Sequence, residues 1–510
     1  MASTVTPKIM SQLTESTLFP ADQPLEIILD PASNKEGYLT DFVSGKPVKD
    51  GPEEREAVQV FSKILVEDYG YPKAMIQTRP QFRVKARPSD LKKEYPIDIA
   101  VFSTEKKLDD DLYIVIECKK KNRKDGMNQL QDYLRFCKAP IGVWFNGLES
   151  LYIKKIEKDG RVLFEELPNI PIFGQRLEDI GKFRRRDLKT SINLKSIFKT
   201  IRNFLAANAV GITRDEVFAQ QIINLIFCKI YDERFTKPND MITFRAGVDE
   251  KNTDVKKRIV DLFELVKKRY TDVIEIADSI QLDAASVYHV VGALQNFALT
   301  ECERDAVGEA FETFIGPSLK GPQGQFFTPR NVVRMVVQMV DPKPEDKIID
   351  PACGSGGFLV EGLRHVWRQV EQQGQELGWP AKEIEAEKQK VAIDKFRGID
   401  KDSFLSKVAK AYMAILGDGR GGVFCENSLD QPDNWNRKAR EGVQFGSFDV
   451  VITNPPFGKR LAIEGEEMLK TFKLGHAWKA DENGDFQMGG LLDKQPPPDF
   501  VYRAVSQPAS

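Results

Sequence analysis

The hydrophobic positions of the chain change from one period to another along its length. From about Glu53 they recur at helical spacing through "EEREAVQVFSKILVEDYGYP", where Gly70 and Pro72 end the predicted helix. Runs rich in β-branched residues then predict three strands, "MIQTRPQFRV", "YPIDIAVF" and "LYIVIECK". A helix over "GMNQLQDYLRFC" and two more strands, "IGVWFN" and "SLYIKKIE", follow. We expect this first α/β unit to end near Asn169.

The rest of the chain divides by the same criterion into a helical part and a second α/β part. A charged segment, "LEDIGKFRRRDLKTSINLKSIF", favours a linker or a linker helix, and the periodicity after it is almost wholly helical. Helix, strand and glycine-rich turn resume from Phe327. The expected organisation is an N-terminal extension (1–50), a first α/β domain (51–170), a linker (171–197), a helical domain (198–318), a second α/β domain (319–490) and an irregular tail (491–510).

Composition narrows the class of protein. A chain of 510 residues is long enough for two or three cores, and 41% hydrophobic with 29% charged residues is typical of a soluble globular protein. The net charge of −2 means that any nucleic-acid partner must meet a local positive surface. The six cysteines lack metal-site spacing, which argues against zinc and a secreted disulfide framework and favours a reducing cytoplasm. No window predicts a membrane span or an export signal.

A stretch of small residues, "DPACGSGGFLV", follows the short apolar run "DKIIDP". A strand ending at Asp350, a turn of small residues and a helix from about Phe358 predict the first βα turn of a doubly wound sheet. Glycines let the backbone approach a ligand and the helix N-terminus offers unpaired N–H groups, so the pattern favours a cofactor site; the alternative is a turn that serves packing alone. The stretch matches neither the phosphate-binding GxxxxGK[ST] loop nor the dinucleotide-binding GxGxxG order.

Two further strand ends carry residues suited to the same site. "KFRGIDKD" places Asp400 at a strand end, where a carboxylate can accept both hydroxyls of a ribose, although acidic strand ends are common. "FDVVITNPPFGK" carries a predicted buried strand, 450–453, into Asn454, two prolines and Phe457. The Asn454 side-chain carbonyl and a neighbouring main-chain carbonyl can accept hydrogen bonds from an exocyclic amine, and Phe457 can stack on its base. The alternative is a rigid loop.

In their order along the chain, "GQFFTP", "DPACGSGG", "GIDKD" and "NPPF" resemble the motifs of the N6-adenine DNA methyltransferases, γ class, and most closely the modification subunits of type I restriction systems. The resemblance covers about 198–458 and implies a Rossmann-like domain that uses S-adenosylmethionine. The cofactor-binding residues that it implies are Phe327, Thr328, Pro329, Asp350, Pro351, Ala352, Gly354, Ser355, Gly356 and Asp400. The residues that it implies for methyl transfer, which hold a flipped adenine, are Asn454, Pro455, Pro456 and Phe457.

The first α/β domain carries a second constellation, "PIDIAVF" followed by "YIVIECKKKN". Asp98 and Glu117 end adjacent predicted strands, and Lys119 lies on the same face as Glu117 because strand side chains alternate. Two carboxylates can hold a Mg²⁺ that polarises a phosphodiester, while the lysine stabilises charge. The alternative is a solvated sheet edge. Gln129 and Tyr133 share a helix face, and "KKKNRK" supplies a local positive patch.

The region 53–146 resembles the N-terminal nuclease domain of type I restriction subunits, a PD-(D/E)xK fold with a QxxxY helix. The resemblance implies that Asp98 and Glu117 bind the metal and that these two residues, Lys119, Gln129 and Tyr133 form the cleavage site. The helix carboxylate sometimes used as a further ligand could be any of three residues, Glu53, Glu54 or Glu56.

The sequence therefore predicts an α/β protein: a PD-(D/E)xK-like domain, a helical middle domain and an incomplete methyltransferase domain. Since only about 50 residues follow Gly458, we expect a truncated reading frame whose sheet keeps an exposed edge or is completed by another chain. The expected function is adenine-N6 methylation of double-stranded DNA in a restriction–modification system, with a fused Mg²⁺-dependent endonuclease and with specificity and modification or restriction subunits as partners. The alternatives are a catalytically incomplete fragment that binds S-adenosylmethionine or DNA, and a protein with nuclease activity alone.

Overall fold

A computed structural model describes most of the chain between residues 37 and 495. The described ranges are 37–85, 94–121, 123, 125–191, 193–210, 215–271, 273–302, 304–315, 328–417, 422–455, 463–471, 475–481, 485–492 and 494–495. None of the helices within these ranges combines the length and the apolar character needed to cross a bilayer.

The first α/β region is built around one mixed sheet. A small antiparallel pair, β1 (Tyr38–Thr40) and β2 (Pro47–Lys49), precedes a wide helical turn at Glu54–Val58 and helix α1 (Gln59–Glu67). The following elements are β3 (Ile76–Gln77), β4 (Arg83–Val84), β5 (Tyr95–Pro96), β6 (Ile99–Phe102), β7 (Leu112–Cys118), α2 (Met127–Phe136), β8 (Ile141–Phe145), β9 (Ser150–Lys158) and β10 (Arg161–Leu167). The sheet order is β10-β9-β8-β7-β6-β3, in which β7 and β8 are parallel and the other neighbours antiparallel.

The two faces of this sheet bury two separate sets of side chains because strand residues alternate in direction. Ile99 and Ile114 pack with Phe61 of α1 on one face. Ala100 and Val115 pack with Leu130 of α2 on the other. The predicted α1, α2 and five strand regions are confirmed, with the first strand region divided into β3 and β4.

Strand β10 was missing from the sequence prediction. It pairs with β9 through a tight hairpin whose central residues, Asp159 and Gly160, have φ of 52° and 70°. An Asp-Gly pair between apolar runs is a strong hairpin signal because both positions require the left-handed conformation. The signal was present in the sequence and was overlooked.

Residues 171–191 are irregular but packed. They contain two short 3-10 turns, Leu177–Asp179 and Arg185–Asp187, and they bury Ile180, Phe183 and Leu188. Five helices follow: α3 (Leu194–Asn208), α4 (Asp215–Phe235), α5 (Asn252–Arg269), α6 (Ala284–Leu294) and α7 (Arg304–Ile315). The sequence prediction of a helical region after this segment is confirmed.

The second α/β region has the strand order of a doubly wound fold. Its elements are α8 (Arg330–Val340), β11 (Ile348–Asp350), α9 (Gly357–Glu376), α10 (Ala381–Asp394), β12 (Phe396–Asp400), α11 (Ser403–Gly417), β13 (Val423–Cys425), α12 (Arg437–Gly442) and β14 (Val450–Val451). All strands of the sheet are parallel, in the order β13-β12-β11-β14. The order therefore reverses between β11 and β14, which is where such sheets bind ligands.

A strand lies within the predicted segment 450–453, but the prediction that this strand is buried was wrong. In the described part of the sheet β14 lies at the edge, and Val451 is 40% exposed. Beyond it, β15 (Ile463–Glu464) pairs with β18 (Lys494–Gln495), so a strand lies inside the segment predicted as an irregular tail. Helix α13 (Glu466–Lys470) and the exposed hairpin β16 (His476–Ala480) with β17 (Phe486–Leu491) lie between them.

One continuous apolar core joins the helices to the second sheet. It runs from Leu194 of α3 through Phe311 of α7 to Leu363 of α9 and Tyr412 of α11. The first α/β region shares apolar contacts with the helical region, since Ile242 and Ala298 lie in the same buried cluster as Phe61. Polar groups add to this contact: the Asn169 Nδ2 donates to the Gly292 carbonyl at 3.0 Å. Ser191 Oγ, which follows the first region in sequence, donates to Asp68 Oδ1 at 2.9 Å.

A substitution at Gly292 tests the contact between the first α/β region and the helical region. A Cβ at this helical position would lie 2.8 Å from the main-chain carbon of Pro168, so the backbone of the first region would have to move. Alanine in an open helix would stabilise by about 1 kcal/mol relative to glycine. We expect Gly292→Ala instead to lower the free energy of unfolding by about 1 to 3 kcal/mol, because the added methyl group would overpack the contact with Pro168. Chemical denaturation of the full chain measures this. Gly51→Ala, where nothing lies within 4 Å, is the control, and a stabilised Gly292→Ala variant would contradict the prediction.

Candidate active sites

The first site lies where β6 and β7 run side by side. Ile99 pairs with Ile116 in this antiparallel ladder, so Asp98, just before β6, comes level with Glu117. The Cys118 amide donates to Asp98 Oδ2 at 2.8 Å, and the Lys119 ammonium forms an ion pair with Glu117. The structure thus brings together the three side chains that the sequence pattern selected.

Burial is the main influence on the pKa values of Glu117 and Asp98. Glu117 is only 2% exposed, and burial, followed by the negative charge of Asp98, raises its pKa above the ordinary value. Burial likewise raises the pKa of Asp98, against the opposing effects of the Cys118 amide and Lys119. The negative charges of the buried Glu117 and the partly buried Asp98 face a single lysine, and a divalent cation would compensate both carboxylates.

The structure also distinguishes the three helix carboxylates. Glu54 pairs with Arg79 and accepts from Gln59 at 2.8 Å, and Glu56 is exposed. Glu53 is the one whose charge raises the pKa values of both Asp98 and Glu117. In the described ranges no three Asp, Glu, His or Cys side chains converge closely enough to hold a metal, so Glu53 acts on the pair from a distance.

Helix α2 presents its predicted pair to the same site. The Gln129 amide donates to the Tyr133 hydroxyl. Burial is the main cause of the raised pKa of Tyr133, and the charges of Glu117 and Asp98 add to it. The pair therefore lies within electrostatic reach of the carboxylates.

Two residues near this site, Gln81 and Gly126, were not predicted from the sequence. Gln81 Nε2 donates to Asp98 Oδ1 at 3.3 Å. Gly126, which precedes α2 with φ of 104°, leaves room for the lysine stem, since a Cβ there would lie 2.6 Å from Lys119 Cε. A glycine directly before a helical pattern was the available signal for the second.

The second site lies at the carboxyl ends of β11, β12 and β14. Asp350 ends β11 and Asp400 ends β12, as predicted, and α9 begins at Gly357, close to the predicted start. Ile348 and Ile349 pair in parallel with Val450 and Val451, which brings the segment after β14 to the same edge of the sheet.

Main-chain amides tie the two carboxylates of this edge together. The Gly354 amide donates to Asp400 Oδ2 at 2.8 Å, and the Ala352 amide donates to Asp350 Oδ1 at 3.1 Å. The turn also crosses β12, because the Cys353 amide donates to the Ile399 carbonyl at 2.9 Å. The small-residue turn and the Asp400 strand end therefore form one structural unit.

The glycines of the turn serve different purposes. Gly354 has φ of 52°, and a Cβ there would meet nothing within 4 Å, so the space over this position is open. Gly356 has φ of 85° and would carry a Cβ only 3.1 Å from the Ala409 Cβ, so it permits close packing of α9 on α11. Pro351 is buried, whereas Ala352 and Ser355 are partly exposed at this edge.

The pKa of Asp350 is raised further than that of Asp400. Asp350 is 2% exposed, and burial, with a smaller contribution from the charge of Asp400, raises its pKa to about 7. Burial also raises the pKa of Asp400. A cationic ligand group beside Asp350 would favour its ionised form.

The residues after β14 meet the residues before α8. Asn454 Nδ2 donates to Thr328 Oγ1 at 2.9 Å across 126 positions of sequence. This bond uses the amide nitrogen and leaves Oδ1 of Asn454 able to accept. Pro455 is buried and Pro329 precedes α8. Phe327, Pro456 and Phe457, which the sequence analysis also selected, lie outside the described residues.

Two protein-family models match the chain. Residues 302–488 match the model described as "N-6 DNA Methylase". Residues 52–171 match the model described as "Type I restriction enzyme R protein N terminus". These matches confirm the two family resemblances drawn from the motifs.

Curated relatives include methylase subunits. The type I restriction enzyme StySPI methylase subunit of Salmonella potsdam is 27% identical over 33% of this chain and 30% of its own length. The MjaVII methylase subunit of Methanocaldococcus jannaschii is 26% identical over 49% of this chain and 40% of its own length. The chain thus matches less than half the length of either relative. A solved modification subunit of a putative type I restriction enzyme from Vibrio vulnificus aligns with 20% identity over 56% of this chain and 64% of its own, with a TM-score of 0.35.

Proposed function

Because the chain joins a type I restriction R-protein N-terminal domain to an N-6 DNA methylase domain, we propose that it methylates adenine N6 in double-stranded DNA and carries a fused endonuclease. The observation that carries the methylation proposal is the convergence of Asp350, Asp400 and Asn454 at the reversal point of one parallel sheet. The methyl donor that we propose is S-adenosylmethionine.

The residues present fit that donor. In this proposal Asp400 accepts from ribose hydroxyls, while Asp350 and the open turn at 354–356 receive the methionine part. The bound cofactor would supply an electrophilic methyl group. The chain's part is positioning: Oδ1 of Asn454 and the Pro455 carbonyl accept from the two N–H groups of a flipped adenine and hold its N6 in line.

A specific observation supports a second activity. The buried Glu117 and the partly buried Asp98, with Lys119 beside them, suit a Mg²⁺ ion, and the lysine would stabilise charge on a phosphodiester. Since the two curated relatives are methylase subunits, we propose specificity and modification or restriction subunits as partners, in the cytoplasm.

The bond between Thr328 and Asn454 gives the first test. We expect Asn454→Ala to lower kcat for methyl transfer by about 10²-fold or more, as loss of a preorganised hydrogen-bonding group does. Thr328→Val should lower kcat about fivefold, because one hydrogen bond contributes about 1 kcal/mol to holding the amide, and Thr328→Ser should retain activity. Labelled methyl incorporation into unmethylated DNA measures this, and equal activity of the Val and Ser variants would contradict the positioning role of Thr328.

Cofactor affinity should depend on pH through Asp350. A raised pKa means that Asp350 is largely protonated at pH 5.5 and ionises as the pH rises through about 7. The ligand's α-amino group stays charged over this range, so its affinity should increase by roughly tenfold from pH 5.5 to pH 7. Calorimetric titration measures the dissociation constant. Asp350→Asn should bind more weakly at pH 7 and lose the dependence, and a dependence that persists in this variant would assign the titration to another group.

Metal binding at the first site should also strengthen with pH. The pKa values of Glu117 and Asp98 are raised, so a divalent cation must displace protons and binds better above those values than below them. We expect Mg²⁺ or Mn²⁺ to raise the melting temperature more at pH 8 than at pH 6, and to support DNA cutting. Glu117→Gln should abolish both effects, while Glu157→Gln, an exposed carboxylate of the same sheet, should change neither. Cutting that survives in Glu117→Gln would place the nuclease elsewhere.

A further inference from the structure

A pocket of about 280 Å³ lies beside the carboxylate pair, at the sheet edge formed by β3. The loop between β1 and β2 forms one wall, residues 73–80 form another, and Lys107 closes a third side. Its volume is near the lower end of that of ligand pockets in proteins. Its lining includes three cationic side chains, Lys73, Arg79 and Lys107.

The two lysines of this pocket are held by carbonyl groups rather than by carboxylates. Lys73 Nζ donates to the Phe42 carbonyl at 2.7 Å and lies 3.7 Å from the centre of the Phe42 ring. Lys107 Nζ donates to the Ile76 carbonyl at 2.7 Å. Neither lysine forms an ion pair with any carboxylate of the described ranges. Each ammonium has three donors, so further donors remain for an anion.

The nearby negative charges are already engaged. Asp41, 1% exposed, accepts from Thr78 Oγ1 at 2.6 Å, from Gln59 at 2.9 Å and from Ser44 at 2.7 Å. Glu54 is the ion-pair partner of Arg79. Lys73 and Lys107 are therefore the cations of the pocket that no carboxylate of the described ranges pairs with.

Lys107 lies in the connection, residues 103–111, that reverses the chain between the antiparallel strands β6 and β7. Its φ of 55° is left-handed and belongs to this reversal, as the positive φ values of Asp159 and Asp341 belong to a hairpin turn and to the end of α8. Lys107 is half-buried where it lines the pocket, and burial lowers its pKa.

Strand register places the pocket next to the carboxylates. Gln77 of β3 pairs with Ala100 of β6 in an antiparallel ladder, so Arg79, two residues later, comes level with Asp98. The charge of Arg79 accordingly lowers the pKa of Asp98 in part, and Gln81 donates to Asp98. The pocket and the carboxylates are therefore neighbours along one path on the domain surface. The phosphates of a DNA strand follow each other at about 3.4 Å of helix axis.

We propose that Lys73, Arg79 and Lys107 form a binding site for a backbone phosphate of the DNA strand, adjacent to the phosphate that meets Asp98 and Glu117. This site rests on the proposed nuclease function. It holds the strand in register by electrostatic contact and carries no base specificity, since a phosphate contact contains no sequence information.

The test is the salt dependence of DNA binding by the full chain. A Lys73→Gln, Lys107→Asn double variant removes both charges, and asparagine accepts the left-handed backbone of position 107 more readily than lysine, so the fold is kept. Fluorescence anisotropy with a labelled duplex, in Ca²⁺ without Mg²⁺, gives the dissociation constant over a series of NaCl concentrations. We expect the slope of log affinity against log salt to fall by about 0.9 for the lost phosphate contact.

The control is Lys158→Asn. Lys158 is exposed on β9, four strands from β3 in the sheet, or roughly 19 Å at the usual strand spacing. An unchanged slope in the double variant, or an equal fall in Lys158→Asn, would overturn the proposal. Titration with inorganic phosphate tests whether the pocket binds free phosphate instead of DNA phosphate. If phosphate binds to the parent chain but not to the double variant, and the salt-dependence slope for DNA is the same in both, the pocket is a free-phosphate site and the proposal is overturned.

A cutting assay in Mg²⁺ separates this proposal from the proposed nuclease function. If the parent chain cuts DNA, the double variant should show a raised KM with little change in kcat, and unchanged KM and slope would overturn the phosphate site while leaving the nuclease intact. If the parent chain does not cut but the slope still falls by about 0.9 in the double variant, the pocket binds DNA phosphate and the nuclease function is the one that fails.

Discussion

Both candidate sites depend on the cost of burying a carboxylate at the end of a strand. A buried carboxylate without full compensation binds its proton more tightly, and it gains when a cation arrives. Glu117 has one lysine as a partner and a second carboxylate beside it, whereas Asp350 has one main-chain amide and a charge on the neighbouring strand. In the proposed function a cationic ligand compensates the carboxylates of each site, a metal ion in the first and an ammonium group in the second.

The rest of the architecture holds these carboxylates in place. A single apolar core runs through the five middle helices of the described residues and into the second sheet, so the methylase-type site and these helices are packed together. The first α/β region has two core layers of its own, and one of them also includes Ile242 and Ala298 of the helical region. Hydrogen bonds such as that of Asn169 with Gly292 add to this apolar contact. The pocket of Lys73, Arg79 and Lys107 lies on the β3 edge of the first sheet, beyond its carboxylate pair.

Local sequence patterns predicted the positions of helices and strands well, but they predicted the burial of those elements less well. Helix α9 and the strand ends at Asp350 and Asp400 followed from short-range signals, a small-residue turn and apolar runs bounded by acids. The burial of β14 did not, because an apolar run does not tell whether a strand has neighbours on both sides. Strand β10 was missed although its Asp-Gly turn was visible, since the alternation of its side chains is weak and most of them are exposed.

The sequence by itself determined which chemistry the chain contains: the motif residues, their order and the strand or helix that carries each one are local properties. Only the tertiary structure decided which of them meet. The bond from Asn454 to Thr328 and the alignment of Arg79 with Asp98 each depend on register or on contacts across distant segments. Such contacts follow from how sheets pair and how cores pack, and those interactions join residues that no short window of sequence contains.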